Sequence, residues 1–164
     1  SPRTAVLLGG PTRAVRMDRG GFEVLMAKLE LWLALEGGSV LLLGSRRTPP
    51  LIAAVARERC VEMPGAHWFD PRDGENFYPG ALAWADRIVV TPDSANMMSE
   101  ACATTVPVFI AGPERATGRL RRLVTELQAR GRVRPQLREP VQYAVEPLRE
   151  TARVADRVRT RFGG

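Results

Sequence analysis

The chain has 164 residues, 45% apolar and 26% charged, enough for one domain with a full core and too few to require two. No apolar run nears the roughly 20 residues that cross a bilayer, and Ser1-Pro2-Arg3 lacks a signal peptide's apolar core, so a cytoplasmic protein or fragment is expected. The net charge of +6 is uneven, since residues 1–113 carry 11 basic and 12 acidic groups while residues 114–164 carry 13 Arg against 6 acidic groups.

Thr4–Leu8 is a continuous apolar run ending at Gly9-Gly10, the pattern of a central parallel strand buried on both faces. From Phe22 the spacing changes to Phe22, Leu25, Met26, Leu29, Trp32 and Leu33, a period near 3.6 that predicts an amphipathic helix stopped by Gly37-Gly38. Val40–Leu43 is a second buried strand, and a helix is predicted over Pro49–Arg59, with prolines in a first turn that needs no N–H from them. Ala66–Phe69 reads as a third strand, followed by a polar loop, Asp70–Asn76, and a brief helix, Pro79–Ala85. Arg87–Thr91 is the fourth strand, Ala95–Thr104 a helix, and Val106–Ala111 the fifth strand. Thr117–Arg130 is helical, with Leu120, Leu123, Val124 and Leu127 on one face. Val133–Pro140 has no strong pattern, and a last helix, sparse in apolar positions, is predicted over Pro147–Arg161.

Strands alternating with helical stretches mean βαβ units and right-handed crossovers. The expected fold is one three-layer, Rossmann-like α/β domain spanning residues 1–164, with a mostly parallel sheet of five or six strands. Ligands of such sheets bind beyond the carboxyl ends of the strands, which directs attention to four segments.

Gly9-Gly10-Pro11-Thr12 follows a buried strand, where glycines let the backbone approach a phosphate; Gly9, Gly10 and Thr12 are candidate ligands. Ser45-Arg46-Arg47-Thr48 sets two guanidinium forks and two hydroxyls at a strand end before a helix, a set that suits a diphosphate. Asn76 lies in the third such loop. In Thr91-Pro92-Asp93-Ser94, Asp93 or Ser94 caps a helix, and Asp93, Asn96 and Glu100 are spaced to share one polar face, while Met98, Ala101, Cys102 and Thr105 fall toward the core. The helix start favours a phosphate, and Glu100, about 6 Å beyond Asn96 at 1.5 Å per residue, would accept a ribose's two hydroxyls. Asp93 is awkward beside phosphates unless Arg46 or Arg47 pairs with it.

Other groups carry less. His67 reads as a core or rim histidine, and Cys60 and Cys102 as buried thiols; no metal site is expected without a ligand cluster. Asp70, Asp73 and Glu75 read as a solvated loop. No catalytic constellation is legible. The basic last third lacks interleaved aromatics apart from Tyr143 and Phe162, so nucleic acid is not the expected partner; a protein partner on that surface is.

The run Gly9-Gly10-Pro11, the segment Ser45-Arg46-Arg47-Thr48-Pro49, Glu75-Asn76-Phe77-Tyr78, and the stretch from Ala85-Asp86 through Thr91-Pro92-Asp93-Ser94 to Ser99-Glu100-Ala101 resemble the elongated-mitochondria fission-protein family and its bacterial relatives, often labelled nucleoside-diphosphate-sugar epimerase-like. That family is in turn similar to GT-B glycosyltransferases. The resemblance implies a C-terminal, nucleotide-sugar-binding half of a two-domain protein, whose N-terminal domain would supply the acceptor site. It casts Glu100 as the ribose-binding acid and Ser94 and Asn96 as the phosphate-facing helix start. Two functions are therefore expected: a donor-binding half of a nucleotide-sugar-dependent transferase, or a non-enzymatic interaction module working through the basic C-terminal third. An epimerase is not expected, because the chain has neither GxGxxG nor a Tyr-x-x-x-Lys pair. The ligand is a nucleotide diphosphate or nucleotide-sugar, with no further cofactor assigned.

Overall fold

The computed structural model of the chain describes residues 2–10, 18–73, 77–141, 143 and 145. Among these residues six strands and five α-helices alternate: β1 (Arg3–Leu7), α1 (Arg19–Glu36), β2 (Ser39–Leu43), α2 (Pro50–Glu62), β3 (Ala66–Phe69), α3 (Tyr78–Trp84), β4 (Arg87–Val90), α4 (Ala95–Cys102), β5 (Val108–Ile110), α5 (Gly118–Ala129) and β6 (Val133–Pro135). Short 3-10 turns stand at Pro71–Asp73 and Pro113–Arg115.

The strands form one sheet in the order β3-β2-β1-β4-β5-β6, every pair parallel. From β1 the chain steps outward to β3, then crosses back to β4 and steps outward the other way. Right-handed crossovers put the helices of the two runs on opposite faces. One core accordingly packs Phe22, Leu25, Met26, Leu29 and Trp32 of α1 with Ile52, Val55 and Ala56 of α2, and Trp32 meets Phe109 of β5 edge-on at 5.2 Å. The other packs Ala81 of α3, Met98 and Ala101 of α4, and Leu120, Leu123, Val124 and Leu127 of α5. β4, between them, is buried at all four residues. At about 1.5–3 kcal/mol for each large apolar side chain taken from water, these two layers are what hold the sheet.

Local signals set the helix ends. Asp18 caps α1, its carboxylate accepting from the Gly21 N–H at 2.7 Å, and the Gly37 N–H closes the far end on the Leu33 carbonyl at 2.8 Å. α2 runs on to Glu62, past the predicted stop at Arg59. α4 is shorter than predicted: it ends at Cys102, so Thr105 lies beyond it and is exposed rather than core-facing, and Ser99 is the additional inward residue. The predicted helix over Pro147–Arg161 lies outside the described residues.

Two buried arginines and a tyrosine secure the periphery. At the amino edge Arg87 ion-pairs with Glu36 at 2.9 Å, donates to the Thr4 hydroxyl at 2.7 Å and stands 4.4 Å over the Trp32 ring; burial pulls its pKa down from the ordinary arginine value. Near the far edge the Arg132 guanidinium donates to the carbonyls of Cys102 and Thr104, at 3.0 and 2.8 Å, just where α4 stops. The Tyr143 hydroxyl accepts from the Val108 N–H at 2.7 Å and lies 3.0 Å from the Arg132 carbonyl, fastening the chain after β6 to the start of β5. These ties explain how Val133–Pro135, with little pattern of its own, becomes a strand; Pro135 is tolerated there because the strand is an edge.

Candidate functional site

The strand order reverses between β1 and β4, and their carboxyl ends, with that of β2, bring three of the predicted segments together. The Gly9 N–H donates to the Thr91 hydroxyl at 2.9 Å, and that hydroxyl donates to Asp93 Oδ1 at 2.7 Å. Ser45–Thr48 is a turn closed by the Thr48 N–H on the Ser45 carbonyl at 3.1 Å. The Thr48 hydroxyl accepts from the Ser45 N–H at 2.8 Å and reaches the Gly9 carbonyl at 3.2 Å, so the β2 loop is tied to the β1 loop. Arg47 completes the cluster: its Nη2 lies 3.3 Å from the Gly10 carbonyl and 3.5 Å from that of Asp93.

The two glycines are explained by this packing. A Cβ on Gly9 would run into the Asp93 carboxyl, and one on Gly10 into the Cβ and carbonyl of Arg47. The space that the glycines open is thus filled by neighbouring loops, which is their tight-turn role.

Asp93 departs from the expected arrangement. It precedes the helix, Ser94 is the cap (its hydroxyl accepts from the Met97 N–H at 3.2 Å), and Asp93 is 2% exposed. It therefore does not share the exposed face of Asn96 and Glu100. Nor is it ion-paired in the way foreseen, since Arg47 meets its backbone carbonyl. Burial raises the carboxyl's pKa against the opposing pull of the Thr91 hydroxyl and the Arg47 charge, and Oδ2 has no hydrogen-bond partner among the described residues.

Arg46 is exposed at the tip of its turn and makes no hydrogen bond or ion pair with a described residue. Asn96 and Glu100 are exposed along α4. Glu100 faces Tyr78, the first residue of α3, whose hydroxyl is raised well above the usual phenol range by burial first and by the Glu100 carboxylate second. Nothing in local spacing announces Tyr78, because α3 and α4 meet only through the fold. Thr12, Asn76 and Glu75 lie outside the described residues. Asp70, expected to be solvated, is buried and ion-paired with Arg72 at 2.7 Å and Arg57 at 3.4 Å; these contacts, led by the Arg72 hydrogen bond, hold it below the ordinary carboxylate value. His67 is an exposed residue on the edge strand β3.

The fold and the loop cluster define a doubly wound, Rossmann-like α/β domain, with a crevice where the strand order turns. Sequence comparison narrows this to a family. The family model for mitochondrial fission ELM1 matches residues 1–162. A curated relative, the mitochondrial fission protein ELM1 of Arabidopsis thaliana, is 33% identical over 127 residues, covering 74% of this chain and 29% of the relative. The chain belongs to the mitochondrial fission ELM1 family. It spans less than a third of the length of that relative.

Proposed function

We propose that the domain binds the diphosphate of a nucleotide-sugar in the crevice formed by Gly9-Gly10, Ser45–Thr48 and the start of α4, as the donor-binding half of a GT-B-like transferase. The observation that carries this reading is the convergence of three strand-end loops on the Arg47 guanidinium, beside a capped helix start, at the point where the strand order reverses. A phosphate is served there by Arg46, which is free of described partners, by Arg47, and by the dipole of α4. The burial of Asp93 fits as well, because a carboxyl biased toward its neutral form does not repel an anion. Glu100 and the Tyr78 hydroxyl beside it would receive the ribose. On this reading a second domain faces the crevice and brings the acceptor.

The test is calorimetric titration of the 164-residue chain with UDP, GDP and ADP. Saturable binding of at least one is expected. Arg47→Ala should weaken diphosphates at least tenfold, about 1.4 kcal/mol, while sparing nucleosides, and Glu100→Ala should weaken both alike. No binding at millimolar ligand sinks the proposal. A second reading, a non-enzymatic module that recruits an anionic partner, is favoured by the solvent face of α5, where Arg119 and Arg121 are exposed, and by the fission role in the relative's name. Loss of partner binding in an Arg119→Glu, Arg121→Glu variant that still folds, together with no nucleotide binding, is its signature.

A further inference from the structure

A pocket of about 100 Å3 opens between one flank of α1 and the loops after β5 and β6, apart from the crevice between β1 and β4. Its α1 wall presents Val24, Leu25 and Lys28, and Ala111 adds apolar surface from the end of β5. Lys28 is the only lysine among 24 basic side chains. It is half-buried, and its ammonium donates to the Gln136 carbonyl at 2.8 Å. No other hydrogen bond or ion pair joins it to a described residue, so two of its three N–H bonds remain for a guest. Arg115 forms another part of the wall and is fixed: its guanidinium ion-pairs with Asp18 at 2.9 Å and fills the place that a side chain on Gly21 would take. Glu114, on the same loop, is exposed.

We infer that this pocket binds the carboxylate of a small organic acid, with Lys28 as the ion-pair partner and Val24, Leu25 and Ala111 against a short apolar tail. Size sets the class. A cavity of about 150 Å3 holds benzene, so this one takes a guest of only a few heavy atoms. Charge sets the head group: the Arg115 charge is matched by Asp18 at 2.9 Å and the Glu114 carboxylate stands exposed to water on the loop, so the half-buried Lys28 ammonium is the cation that a single anionic group would meet. An ammonium half withdrawn from water with two donors unused gains more from an anion than a surface lysine does.

The experiment compares propionate with its neutral isostere propionamide, at constant ionic strength, by amide NMR of the full chain. The signals of Gly21, Lys28 and Gly112 should shift saturably with millimolar propionate and at least tenfold more weakly with propionamide; labelling with 13C-lysine gives a single side-chain reporter, the Lys28 ε-carbon, which should move with them. Lys28→Met should abolish the saturable response with the remaining amide spectrum intact. Should that variant lose its fold, Glu114→Gln, at an exposed position, decides instead, and binding about twofold tighter is expected. Arg47→Ala, in the other crevice, should leave propionate binding unchanged whether or not nucleotides bind. Matching responses to acid and amide, survival of binding in Lys28→Met, unchanged or weaker binding in Glu114→Gln, or loss of it in Arg47→Ala overturns the inference.

Discussion

At the scale of single residues, the crevice depends on atoms in close contact across three loops. Gly10→Ala is expected to destabilise more than Gly9→Ala. The new methyl at position 10 meets the Arg47 backbone, whereas at position 9 it meets the end of the Asp93 side chain; overpacking of this kind costs about 1–3 kcal/mol, and urea unfolding of the two variants gives the order. Asp93 gives a pH prediction. Because burial raises its pKa in the folded state, the folded protein holds the proton more tightly than the unfolded chain. Its contribution is therefore full below the ordinary carboxylate range and is lost as pH rises through the folded value. Asp93→Asn should flatten the fall in stability above the ordinary carboxylate range, taken as a difference from wild type so that the carboxylates held low by arginines cancel. A variant curve parallel to wild type above that range contradicts the assignment. The sequence made Asp93 visible as a candidate but misplaced it on a helical face, because spacing along a helix carries no information about a residue one step before its cap.

At the scale of elements, period and burial were readable wherever one residue pattern decided the outcome. The buried runs of β1, β2 and β4 and the 3.6-residue spacing of α1 and α5 appear in the structure with ends shifted by a few residues. What stayed hidden was whatever depends on a distant partner. β6 forms because Arg132 and Tyr143 hold its flanks against β5 and the end of α4, and the pairing of Tyr78 with Glu100 exists only once α3 and α4 lie on one face. Arg132→Met should therefore unsettle two elements together. The carbonyls of Cys102 and Thr104 lose a buried, charged donor, a cost of about 3 kcal/mol, and hydrogen exchange should accelerate in both α4 and β6. Acceleration limited to β6 would show that α4 ends without this support.

At the scale of the molecule, the sheet separates two apolar layers, each holding one thiol: Cys60 between the sheet and α2, Cys102 between the sheet and α4. Burial pushes each up to about 11, so alkylation of the native protein requires opening. In single-cysteine variants Cys102 should label only as fast as global unfolding allows, and Cys60, two residues from the end of α2, should label faster through fraying. Equal rates at both would mean that the layers open as one. The Gly9–Thr91 tie spans 82 positions along the chain, and this sets a schedule for synthesis. With the chain released only through β2 and the loop after it, Gly9, Arg47 and Thr48 are present but Thr91 and Asp93 are not. The rim of the crevice is thus completed late, and a nascent chain stopped before residue 91 carries paired strands with an open, unassembled crevice.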